Sequence, residues 1–177
     1  MIVQVPTAFR SWPYMMSERI ENPTNLDSPD AAGADRGGLH LFSSGHMRFA
    51  IFDADVATVA EWRAPTPLPH APPAVLGVVS IQGRMLTVLD PATLLEASDN
   101  GNSSSSFIVA LRGDAQLALA ASSKSDELLN GAEMVSDGTS AGVLGVIKHK
   151  EESIRVLDVK HLFALAIRGR ERRQRQF

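Results

Sequence analysis

The sequence predicts a mainly β protein made of two tandem five-stranded β-barrel subdomains, and an internal duplication is the first reason. Val75-Leu76-Gly77-Val78-Val79 returns as Val143-Leu144-Gly145-Val146-Ile147, and Val88-Leu89-Asp90 returns as Val156-Leu157-Asp158. Both pairs are offset by 68 residues (143 − 75 and 158 − 90). The register holds upstream, where Gly45 falls on Gly113, Ala50 on Ala118, and apolar Leu41, Phe49 and Ile51 on Val109, Leu117 and Leu119. Residues 39–95 and 107–163 therefore read as two ungapped copies of one unit. Two copies imply a duplicated domain rather than a solenoid, which needs about three or more units. The second reason is period-two alternation in short runs separated by turn residues. Five short antiparallel strands curl readily into a small barrel, which removes exposed edges.

Residues 1–38 hold Pro6, Pro13, Pro23 and Pro29 and the glycines Gly33, Gly37 and Gly38, with no sustained period. They read as an irregular extension, with a local apolar cluster at Phe9, Trp12, Tyr14, Met15 and Met16. From Leu39 the pattern becomes strand-like, with a hairpin turn near Gly45. Val56 to Trp62 alternates again as the next strand. Pro65-Thr66-Pro67-Leu68-Pro69-His70-Ala71-Pro72-Pro73 cannot sustain a ladder, because proline has no N–H to donate, so it is a loop. Val75–Ile81 and Met85–Leu89 then flank Gln82-Gly83-Arg84, a hairpin in which Gly83 can supply positive φ.

Asp90-Pro91 starts a short helix, with aspartate at the N-cap and proline at the first helical position, where its missing N–H costs nothing. Residues 96–106, rich in Ser, Asn and Gly, form a linker. The second copy follows as Phe107–Leu111, a turn at Arg112-Gly113-Asp114, Leu117–Ala121, Val143–Ile147 and Ile154–Leu157. A final helix runs from about Asp158, with Leu162, Phe163, Leu165 and Ala166 giving it an apolar face. Residues 167–177 are a basic tail.

Composition narrows the function. The 177 residues are 44% hydrophobic and 21% charged, ordinary globular usage. There is no cysteine, which excludes disulfides and thiolate chemistry and suits a reducing compartment. No apolar run approaches the roughly 18 residues that span a bilayer, and Met1 to Pro6 lack the pattern of a signal peptide. A cytoplasmic protein with no direct membrane insertion is expected. The net charge of −3 divides into +4 on residues 168–177 and −7 on the rest. A nucleic-acid-binding domain needs a basic face on its folded part, so nucleic acid is not the expected partner.

Catalytic chemistry finds no support. The recurring Asp90 and Asp158 each follow a strand and precede a helix, so capping accounts for both. His40, His46, His70, His149 and His161 are scattered, with no i,i+4 pair, which leaves metal ligation without a case. Ser103 to Ser106 are linker residues outside any nucleophile elbow, and Arg112-Gly113-Asp114 sits where the repeat requires a turn. Gly77 and Gly145 stand alone within strands, as bulges or close packing require. No catalytic residue, cofactor or metal is assigned. Binding remains: Glu61 is a lone acid beside Trp62 on a cleanly alternating strand, either an ordinary exposed position or an interface with an aromatic anchor.

Phe42-Ser43-Ser44-Gly45-His46-Met47-Arg48-Phe49-Ala50-Ile51, Val56-Ala57-Thr58-Val59-Ala60-Glu61-Trp62 with the proline-rich loop after it, and Val75 through Asp90 together resemble the CheW-like coupling proteins of bacterial chemotaxis. Gly142-Val143-Leu144-Gly145 and Ile154 through Asp158 extend the resemblance over about residues 39–166. It implies two small SH3-like β-barrels and a non-enzymatic adaptor that binds chemoreceptor cytoplasmic tips and the regulatory domain of a CheA-type histidine kinase, recruited to membrane receptor arrays. By position, Val59, Glu61 and Trp62 correspond to the kinase-binding strand. Ile81-Gln82-Gly83 corresponds to the family's Leu-Arg-Gly motif in a receptor-binding hairpin, which makes Gln82, Gly83 and Arg84 the candidate receptor-binding residues. Gln82 replaces the arginine, and a neutral amide cannot make its charge-assisted bidentate bond. Arg84, on the same face of a regular strand, is the candidate substitute. A second departure is Ala121-Ser122-Ser123-Lys124-Ser125, where the family carries an apolar-acidic run. Such departures fit a divergent member, and an auxiliary protein of a twitching-motility or other specialised array is the alternative. A small-barrel nucleic-acid binder using the arginine tail is a further one.

Overall fold

The computed structural model describes residues 37–97, 104–135 and 141–167. The irregular extension and its apolar cluster up to residue 36, linker residues 98–103 and the tail from 168 lie outside the described residues. The strands are β1 (Leu39–Ser44), β2 (Met47–Phe52), β3 (Val56–Glu61), β4 (Val75–Ile81), β5 (Arg84–Leu89), β6 (Phe107–Leu111), β7 (Leu117–Ala121), β8 (Ser123–Leu129), β9 (Met134–Val135), β10 (Val143–His149) and β11 (Glu152–Leu157). Helix α1 is Pro91–Leu94, and α2 covers 162–167. They form two SH3-like barrels, one from a six-stranded sheet ordered β8-β1-β2-β11-β10-β9 and one from a five-stranded sheet ordered β3-β6-β7-β5-β4.

The sheets do not follow the two sequence copies. The first copy lends β3, β4 and β5 to the barrel that holds β6 and β7, while β8 to β11 complete the barrel begun by β1 and β2. The boundary expected near residues 96–106 therefore separates the copies but not the barrels. The exchange keeps the 68-residue offset. In β2–β11 the parallel partners are Phe49 with Arg155 and Ala50 with Val156. In β5–β7 they are Leu117 with Thr87 and Ala118 with Val88, the equivalent residues. These two ladders are parallel, not antiparallel as expected. Neither joins neighbours in one hairpin, which would force an antiparallel pairing, whereas the other ladders between the copies, β3–β6 and β1–β8, are antiparallel.

Exchange explains why several strands are apolar on both faces. Phe49 and Ile51 of β2 join Val109, Leu111, Leu117, Leu119, Leu89 and Leu157 in a core shared between the sheets, and Leu162 and Ala166 of α2 cover it. Ala50 and Phe52 point the other way, into the first barrel with Ile147, Ile154 and Val156. Ala118 and Ala120 of β7 likewise enter the second barrel with Val79, Leu86 and Val88. Val79, Leu86 and Val88 match Ile147, Ile154 and Val156 under the offset. The repeat thus records two interiors built from equivalent side chains.

The repeated glycines admit a crossing segment. At Gly77 (φ 142°) a Cβ would lie 2.3 Å from the Thr66 carbonyl oxygen, and at Gly145 it would lie 2.7 Å from that of Val135. Thr66 sits between two prolines yet keeps its own N–H, which donates to Val78 O at 2.8 Å, and its carbonyl oxygen accepts in return from Val78 N at 2.9 Å. A bulge accompanies each glycine, between Val75 and Gly77 and between Val143 and Gly145. β9 is the counterpart of Thr66 on β10.

Asp90 caps α1, accepting from the N–H groups of Ala92 and Thr93. Asp158 is not a helix cap. It accepts from Lys160 N in a turn, and α2 begins four residues later than expected. The polar run Ser123–Leu129, which shows no apolar alternation, is a full strand that pairs with β1.

Candidate functional site: an edge strand and a hairpin tip

β3 lies at one edge of its sheet, and among the described residues it pairs only with β6. From Thr58 to Glu61 the pairing is regular, ending with Glu61 opposite Phe107, and Trp62 N extends it by donating to Ser106 O at 2.9 Å. Alternation puts Val59 and Glu61 on one face. Val59 is half-buried against the shared core, and Glu61 is exposed. Ala60 and Trp62 fall on the opposite face and pack on the interior of the second barrel. Trp62 is therefore an internal anchor of the strand end, not a neighbour of Glu61 on one surface. Phe107, opposite Glu61, carries the Lys124 ammonium 5.8 Å above its ring.

Gln82 and Gly83 form the two-residue loop between β4 and β5, with φ of 49° and 77° and Ile81 paired to Arg84. Positive φ at both central residues is the type I′ arrangement that suits the twist of a hairpin. Gln82 thus lies in the turn and not in a strand, so the expectation that Arg84 shares its strand face does not apply. Gln82, Gly83, Arg84 and Met85 are all exposed, and a Cβ at Gly83 would meet nothing within 4 Å. The tip is held from below by buried Ile81 and Leu86, in the same interior cluster that receives Trp62. The strand and the tip are thus edge features of one barrel, fixed by one core. Neither Glu61 nor Arg84 forms an ion pair among the described residues.

Sequence reasoning missed the equivalent region of the other barrel. There a cavity of about 340 Å³ opens between β1, β8 and the β10–β11 hairpin, lined by Phe42, Arg48, Lys124, Glu127, His149 and Lys150 among others. Glu127 accepts from the Lys150 ammonium at 2.9 Å and lies 3.6 Å from His149 Nε2. The hydrogen bond and charge of Lys150 hold its carboxyl below the usual carboxylate range; slight desolvation opposes this and His149 reinforces it. Arg48 pairs with Glu152 across β2 and β11. The 68-residue offset was the signal that could have found β8, since it carries β3 onto residues 124–129. Among the described residues no group of three or more His, Asp or Glu side chains is placed to hold a metal ion, and no helix is long and apolar enough to cross a membrane.

Two strand-exchanged SH3-like barrels, open at an edge strand and a protruding hairpin, define a class of β domain built around backbone edges and turn tips. The chain belongs to the CheW-like family, whose domain model matches residues 39–166. It is 38% identical over 56 residues to the chemotaxis protein CheW of Rhizobium meliloti (strain 1021), a stretch covering 30% of this chain and 36% of that protein. This match therefore spans about a third of the relative's length. Among solved structures the chain is similar to the scaffolding protein TtCheW of Thermoanaerobacter tengcongensis, with a TM-score of 0.61 and 20% identity over 72% of this chain and 92% of that one. That likeness is one of fold.

Proposed function

We propose that this chain is a non-enzymatic chemotaxis adaptor that couples chemoreceptors to a CheA-type histidine kinase. The reading joins the family membership to one observation: Glu61 is an exposed acid, with no ion pair among the described residues, on an edge strand whose other face is clamped by Trp62. An edge strand offers unpaired backbone groups, and a fixed acid beside them adds charge selectivity to that contact. In this reading the regulatory domain of the kinase docks along Val59 to Trp62. Trp62 acts by holding the strand end, and Glu61 acts by direct contact.

The receptor contact falls to the hairpin tip. Gln82 presents an amide where the family's arginine would present a guanidinium, so Arg84 at the foot of the turn supplies the charge. Recruitment to cytoplasmic receptor arrays at the membrane follows from that contact. Calorimetric titration of the chain with the kinase regulatory domain tests the proposal. Micromolar binding is expected, weakened at least about ten-fold by Glu61→Arg, since a reversed charge at an interface costs several kcal/mol. Equal affinity of parent and variant would reject the assignment of Glu61.

A further inference from the structure

We propose that the opening between β8 and the β10–β11 hairpin binds a small organic acid, a carboxylate carried on an apolar body. The opening has a local cause. In the β1–β8 ladder Phe42 faces Lys124 and His40 faces Leu128, so Leu41 alone stands against Ser125, Asp126 and Glu127. Two extra residues make β8 bulge there, and Ser125 and Glu127 line the cavity of about 340 Å³ on that side. Its volume is at the small end of ligand pockets, about 300–1,000 Å³.

The duplication supplies an internal comparison. Under the 68-residue offset Lys124, Glu127, His149 and Lys150 correspond to Val56, Val59, Ile81 and Gln82. Val56 and Ile81 are buried and Val59 packs on the shared core, so the second barrel uses three of these positions for apolar closure. In the first barrel all four carry polar, ionisable groups, and with Arg48 they line the opening. The lining thus holds three fixed cations, Arg48, Lys124 and Lys150, against Glu127 alone. Glu152 and Asp126, the partners of Arg48 and Lys124, are not part of it. Charges that only guard a sheet edge stand in solvent, whereas the His149 side chain is 18% exposed. Buried Leu41, Phe42 and Ile154 complete the lining.

Glu127 holds, from within the chain, the place of the ligand's carboxylate. Its Oε2 lies 2.9 Å from Lys150 Nζ and 3.6 Å from His149 Nε2. An entering acid displaces this exposed side chain into solvent and takes over the charge-assisted bonds of Lys150 and His149. Its apolar body then covers Phe42 and Ile154.

Amide-resolved NMR titration of the full chain with benzoate at constant ionic strength tests the proposal. Benzoate should shift Ser123 to Ser125, His149 and Lys150 saturably, with a dissociation constant of about 1–10 mM. Benzyl alcohol and acetate each lack half of the match and should bind at least about ten-fold more weakly. Glu127→Gln removes the resident competitor and should tighten benzoate about three-fold, and Lys150→Met should weaken it about three-fold, the scale of a partly exposed ion pair. Both side chains are exposed, so both variants should keep the parent spectrum away from the site. Unchanged or weaker binding by Glu127→Gln would overturn the proposal. So would equal shifts with benzyl alcohol, or no saturation of either the parent or Glu127→Gln by about 50 mM benzoate.

Discussion

Glu61, Gln82 and Glu127 are three exposed polar residues, and their surroundings separate them. Glu61 and Gln82 meet solvent on a strand edge and a turn tip, so substitution there should change binding and leave folding intact. Gln82→Arg is expected to raise affinity for a receptor cytoplasmic tip, because a guanidinium can bond a carboxylate in a bidentate fashion and an amide cannot. Arg84→Ala should lower it, and titration with a receptor-tip fragment measures both. Glu127 instead has its partners within the chain. Its carboxyl titrates below the usual range because Lys150 bonds and charges it, so the charged form is favoured by folding. Any stability from it is present above the unfolded-state value of about 4.3 and is lost as pH falls through the lower folded value. Lys150→Met should move the Glu127 midpoint upward in a carboxyl NMR titration; an unmoved midpoint would remove Lys150 as the cause.

Each element carries a local cost or gain that the duplication lets one compare. The equivalent β4–β5 and β10–β11 hairpins close through two left-handed residues, Gln82-Gly83 in one copy and Lys150-Glu151, with φ of 47° and 67°, in the other. Glycine adopts that region freely, whereas glutamate does so at about 1–2 kcal/mol. Glu151→Gly should therefore stabilise the chain by about 0.5–1 kcal/mol in a denaturant titration, after the entropy glycine loses on folding. Asp90→Ala removes the two bonds that cap α1 and should cost about 1 kcal/mol. Gly77→Ala should do more harm than either: the new Cβ runs into the Thr66 carbonyl at 2.3 Å, so the Pro65–Pro67 segment must leave β4. Loss of protection at Val78 N–H, which bonds Thr66 O, is the exchange signature to look for.

At the scale of the whole molecule, the exchange of strands makes the two copies dependent on each other. β3 has its ladder on β6 and β5 has one on β7, so a fragment of residues 39–97 lacks the strands that complete its sheet. It should be unfolded by circular dichroism, and a fragment beginning at 104 should restore β signal when mixed with it. The sequence showed which residues are equivalent, because Val75 to Val79 and Val143 to Ile147 recur with the same side chains. It did not show which strands pair, because an offset relates positions without choosing a neighbour. β8 stayed hidden because an edge strand with both faces in solvent has no apolar alternation to display. The exposed positions of Glu61 and of the 82–83 turn were legible from alternation and turn chemistry. The separation of Trp62 from Glu61 was not used, although period two alone implies it.

The most direct test of the adaptor account is hydrogen exchange across the chain with and without the kinase regulatory domain. The account requires new protection along Val56 to Trp62 and little change along Ser123 to Leu129, the equivalent strand of the other barrel. Protection confined to β8, with β3 exchanging as in the free chain, would contradict it.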